Sequence, residues 1–99
     1  MIKNTGKLLN FAETLKSAQN GHLECLDFAV RNGYYYSRHT CVNACIHDKL
    51  ECFKYLCDLM CPTHFNYVED MKYIEDTTVR YDRQIYKEYV LQKLQNDDV

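Results

Sequence analysis

Apolar side chains recur along this chain at three- and four-residue spacing, and no stretch alternates convincingly at period two as a half-buried strand does. The spacing predicts six short helices, over about 10–19, 22–32, 39–47, 49–60, 66–76 and 79–95. In the first, Phe11, Leu15 and Ala18 make one stripe, and Asn10 stands three residues before Glu13, the spacing of a capping box. Residues 2–9 are expected to add an earlier half-turn or to fray. Asn20-Gly21 closes this helix, because glycine tolerates the left-handed backbone of a helix end. The second helix sets Leu23, Leu26 and Val30 on one face with Cys25, Phe28 and Ala29 beside it, and Asn32-Gly33 closes it in the same way. The third carries Cys41, Val42, Ala44 and Cys45. The fourth carries Leu50, Phe53, Leu56, Cys57 and Met60 before Pro62 enforces a stop. Tyr67, Met71 and Ile74 mark the fifth. The sixth, with Ile85, Tyr86, Tyr89, Val90 and Leu94, reads as the longest and most polar.

The pattern partly repeats. Ser17–Leu26 has a degraded copy at Ala44–Phe53: Leu23, Glu24 and Cys25 return as Leu50, Glu51 and Cys52, with Leu26 opposite Phe53, Phe28 opposite Tyr55 and Ala29 opposite Leu56. A period in this range marks small supersecondary units that bury their apolar faces only by stacking. The expected fold is therefore all-α, a short helical-repeat solenoid of about three stacked helix pairs forming one domain. Residues 10–36 make the first unit, 37–64 the second and 65–95 a divergent capping unit with a polar last helix, while 96–99 are a frayed tail.

The run Ala18-Gln19-Asn20-Gly21-His22-Leu23-Glu24-Cys25-Leu26, ending at Gly33, resembles the centre of an ankyrin repeat. More narrowly, it is similar to the divergent ankyrin-like arrays of large DNA viruses and some protists; Thr40-Cys41, Lys54-Tyr55-Leu56 and Cys61-Pro62 fall at corresponding places. The resemblance covers about residues 12–64. Both units lack the Thr-Pro-Leu-His entry of ordinary ankyrin repeats, the second lacks the Asn-Gly-His turn, and 65–99 carry no repeat signature. The resemblance implies an inner and an outer helix in each unit, a turn tied together by hydrogen bonds of His22, and a projecting finger over residues 34–39. It also implies binding of another protein rather than catalysis, and a viral origin would put the chain in a host cytoplasm or a particle.

Net charge of −2 and a pI near 6 argue against a protein held on nucleic acid by phosphate contacts. Charge is uneven: residues 1–64 hold seven Lys/Arg against six Asp/Glu, residues 65–99 five against eight, as suits a solvated cap. No apolar run approaches a membrane span, and no apolar segment of signal-peptide length follows the first residues. An intracellular setting with reduced cysteines is the expectation.

Three chemistries compete. Six cysteines and four histidines invite zinc, and Cys57, Cys61 and His64 with Cys41, Cys45 or His47 would supply soft ligands to a small regulatory domain, but no Cys-x2-Cys pair occurs. Cys25, Cys52, Cys41 and Cys61 have a competing explanation as small apolar residues between helices. A cysteine enzyme built on His22, Glu24 and Cys25 is disfavoured, because adjacent helical residues fan apart. The third reading is contact with a protein, either a different partner or a second copy, through Tyr34, Tyr35, Tyr36, Arg38 and His39, with His64 and Phe65 in the equivalent second loop. Tyrosine and arginine are enriched at binding hot spots. Against it stands the packing of one or two of these tyrosines under the turn. No metal or cofactor is expected.

Overall fold

Among the described residues, four helices end where the backbone turns left-handed. Gly21, Gly33, Asp48 and Asp82 have φ of 73°, 81°, 59° and 55°. They separate the elements of the computed structural model, which describes residues 2–60 and 66–96, with side chains over 11–60 and 66–95. The elements are α1 (Ile2–Asn20), α2 (Leu23–Arg31), α3 (Arg38–Ile46), α4 (Leu50–Leu59), α5 (Tyr67–Arg80) and α6 (Gln84–Asn96). No strand occurs among the described residues, and the fold is all-α.

All four turns share one hydrogen-bond plan: at Gly33 the bonds are Tyr34 N–H to Ala29 (2.9 Å) and Gly33 N–H to Val30 (3.1 Å), and the other three turns lead at once into the next helix. His22 N–H donates to the Ser17 carbonyl (2.9 Å), Lys49 N–H to Ala44 (2.8 Å) and Arg83 N–H to Thr78 (2.7 Å). The left-handed residue before each donates inside that loop: Gly21 to Ala18, Asp48 to Cys45, Asp82 to Val79. These are paired Schellman bonds, which satisfy carbonyls that the helix end leaves without partners. The next helix then opens with Leu26, Phe53 and Lys87 N–H on the carbonyls of His22, Lys49 and Arg83. His22 thus ties the turn through its main chain; its exposed side chain makes no capping bond, unlike the role expected of it.

Three boundaries differ from the sequence reading. α1 begins at Ile2, so Asn10 lies inside the helix and does not cap it; no proline interrupts residues 2–9, and the helix propagates through them. α5 continues to Arg80, past 76, because Thr77 and Thr78 fold their hydroxyls back onto the carbonyls of Tyr73 (3.2 Å) and Glu75 (2.6 Å). α6 begins at Gln84, since Asp82 supplies the turn that a glycine supplies at 21; α1, not α6, is the longest helix.

The helices lie in two layers. α1, α3 and α5 pack side by side in one, α2, α4 and α6 in the other, and each odd helix packs on the even one that follows it. Between the layers Leu26, Phe53, Leu56, Met71, Ile74 and Val90 are fully buried. α3 has neighbours on both sides and beneath, so Thr40, Cys41, Val42, Ala44 and Cys45 are all buried and no clean polar face remains. Small side chains there let three helices approach closely. Cys41, Cys45, Cys52 and Cys57 behave as core residues, but Cys25 does not: it is exposed, because no described helix precedes α2 in its layer.

Candidate functional site

The chain leaves α2 at Gly33 and runs extended to Ser37, whose side chain caps α3. Ser37 Oγ accepts from His39 N–H (3.2 Å) and Thr40 Oγ1 accepts from Ser37 N–H (3.2 Å), a reciprocal capping box. The buried Thr14 hydroxyl lies 2.8 Å from both the Tyr35 and Phe11 carbonyls, which share its single proton. The Tyr35 ring meets Phe11 edge-on at 5.1 Å. Main chain and ring are therefore both fixed before anything binds.

The three tyrosines do not share one surface. Tyr36 is half-buried against the core, where burial pushes its phenol pKa up. Tyr35 and Tyr36 line one cleft, of about 550 Å³, with Ser37, Arg38 and His39. Leu59 and Met60 from the end of α4, and Asn66, Tyr67 and Asp70 from the start of α5, complete it. Tyr34 turns to a second hollow, between α1 and α2, beside Cys25 and Phe28. His64 and Phe65 lie outside the described residues.

Arg38 is held from two sides. Its Nη1 is 3.3 Å from Asp70 Oδ1, and its guanidinium carbon lies 4.5 Å from the Tyr73 ring centroid. His39 meets the same ring edge-on at 5.5 Å. An aromatic and apolar floor with a neutralised charge pair at its rim suits recognition of a protein surface. Asp70, Tyr73, Leu59 and Met60 escaped the sequence reading. The spacing Tyr67, Met71, Ile74 marks the buried face of α5 but carries no sign that its other side meets Arg38.

No protein-family model, curated protein or solved structure matches this chain.

Among the described residues no group of three or more His, Cys, Asp or Glu side chains is placed to hold a metal ion. Two members of the sequence-based ligand set, Cys61 and His64, lie outside them. Contact with the Cys57 thiol and burial raise the Cys41 pKa, and burial raises those of Cys52 and of Cys45, the last to about 11. At neutral pH all three are thiols, not thiolates. No described helix is long and apolar enough to cross a membrane.

Proposed function

We propose that this chain is a protein-interaction module, a short ankyrin-like stack of helix pairs that holds a partner protein in the cleft between residues 35–39 and the start of α5. One observation carries the reading. Tyr35, Tyr36, Arg38 and His39, singled out as contact residues by type, line a single cleft of about 550 Å³ together with the apolar Leu59, Met60 and Tyr67. The capping box, the Thr14 bond and the Phe11 contact hold this segment in place, so binding costs little further ordering. The turns into α2, α4 and α6, alike in carrying one helix straight into the next, support the stacked-unit part of the reading.

The test is affinity capture from native extract with the intact chain, followed by cross-linking and mass spectrometry to place the partner. Tyr35→Ala, Arg38→Ala and His39→Ala combined should abolish capture while helical circular dichroism is retained. Full capture by a folded triple variant would show that the cleft is not the contact site.

A further inference from the structure

Each outer helix presents the same two positions to the helix before it, counted from the left-handed turn residue: Cys25 and Phe28 on α2, Cys52 and Tyr55 on α4, Tyr86 and Tyr89 on α6. On α4 and α6 these positions are covered. Cys52 is 1 % and Tyr86 3 % exposed, while Tyr55 and Tyr89 reach back to Asp27 and Asp58 of the preceding helix. No described helix precedes α2 in its layer. Phe28 is 63 % exposed, Cys25 is exposed, and with Tyr34 they line a hollow of about 560 Å³.

The far end of the stack is finished differently. Counting back from the turn residue, Phe11, Thr14 and Leu15 of α1 correspond to Lys72, Glu75 and Asp76 of α5, so charged side chains stand where the first unit carries two apolar residues and a buried threonine. A lysine and two carboxylates at those positions are compatible with water, whereas an exposed apolar edge marks a contact surface. Glu13 and Glu24 line the open hollow, and neither makes an ion pair among the described residues. Across the joint between α4 and α6, Lys93 and Asp58 pair at 2.6 Å.

We propose that the α1–α2 edge is a second docking surface whose occupant is an amphipathic helix of a partner protein, with an apolar stripe seated on Phe28 and Lys or Arg flanking it to meet Glu13 and Glu24. The equivalent faces within the stack receive helices, which sets the shape of the occupant. The two carboxylates set its charge and oppose face-to-face pairing of two copies, which would bring four of them together. This surface is separate from the cleft of the proposed function.

The probe is a pair of synthetic peptides of about 18 residues, long enough to be helical, with leucine at i, i+3, i+4 and i+7 and either lysine or glutamate flanking. Fluorescence anisotropy against the full chain should show the lysine peptide binding at least about tenfold more tightly than the glutamate peptide, roughly 1.4 kcal/mol. Phe28→Asp, and separately Glu13→Lys with Glu24→Lys, should each weaken the lysine peptide about tenfold or more with helix content unchanged. Tyr35→Ala with Arg38→Ala should leave its affinity as it was, which separates this surface from the cleft. No binding, equal binding of both peptides, or indifference to Phe28→Asp overturns the proposal. So does a sedimentation-detected dimer abolished by Phe28→Asp, which would give the face to a second copy.

Discussion

Tyr55 donates its phenolic proton to Asp27 Oδ1 at 2.5 Å, fastening α4 to α2 across the open side of the outer layer. The next joint repeats the device, with Tyr89 donating to Asp58, and Tyr86 donates to Asp48 at the turn (2.9 Å). In each case a tyrosine of the later helix reaches back to a carboxylate of the earlier unit. The bond from Tyr55 holds the Asp27 carboxyl below its ordinary value. At Asp58 burial pulls upward, but bonds from Lys93 and Tyr89 outweigh it and the net shift is downward.

These joints predict weakness toward alkali. Burial, then the bond to Asp27 and its charge, push the Tyr55 pKa from 10.0 to about 12, and Tyr86 and Tyr89 are raised by burial and their own carboxylates. The folded chain thus keeps protons that the unfolded chain releases near pH 10. The stability this contributes is fully present below that pH and is lost as pH rises through about 12. Thermal melts across the alkaline range should show a falling midpoint, and Tyr55→Phe should make the fall shallower. A midpoint flat through pH 12 would contradict the joint as described.

The turn residues make a second prediction, in opposite directions. Asp82 sits at φ 55° with no side-chain hydrogen bond or ion pair among the described residues, so Asp82→Gly should stabilise by about 0.5–1 kcal/mol. Asp48 has the same backbone, but its carboxylate accepts from Tyr86 and faces Arg83 at 3.6 Å; Asp48→Gly should therefore destabilise. Gly21→Ala forces a Cβ to 2.8 Å from Lys49 Cδ at φ 73° and should cost about 1–2 kcal/mol. Urea unfolding of the three variants checks all the signs.

That turn also shows where sequence reasoning succeeds and fails. Helices α2, α3 and α4 follow the apolar spacing to within a residue or so, because glycine and buried apolar residues mark them directly. The α5–α6 turn is read at 77–78, short of Asp82; neither Asp48 nor Asp82 marks its left-handed backbone in the sequence, but the copy of Ser17–Leu26 locates the turn at Asp48 and no copy reaches Asp82. The tyrosine segment is legible as an aromatic run. Its division between two clefts is not, because it depends on Phe11 and Thr14 fixing Tyr35 from α1. The partners of Arg38, Asp70 and Tyr73, lie on the unit with no repeat signature.

Thiol chemistry gives a third prediction. Cys25 is exposed, whereas Cys41, Cys45, Cys52 and Cys57 are buried, and burial raises the Cys45 pKa to about 11. Brief treatment of the native chain with a maleimide, read by peptide mass mapping, should modify Cys25 first among the five described cysteines. The four core cysteines should react only in denaturant. Rapid native labelling of Cys45 or Cys57 would mean that the two layers open far more readily than their packing implies.

The last prediction concerns the centre of the core. Phe53 is fully buried and meets Tyr86 edge-on at 4.8 Å and Tyr89 at 6.5 Å, so one α4 ring holds two α6 rings. Phe53→Ala should cost about 3–5 kcal/mol, a large part of the stability of a domain this size. If that variant is too unstable to measure, Phe53→Leu keeps most of the volume and removes only the ring. Tyr86→Phe keeps the ring and deletes the bond to Asp48, worth about 1 kcal/mol. A double-mutant cycle of Phe53→Leu with Tyr86→Leu isolates the ring pair, for which about 0.5–1.5 kcal/mol is expected. A coupling near zero would mean that Phe53 and Tyr86 contribute through burial alone, with nothing specific to the edge-on ring contact.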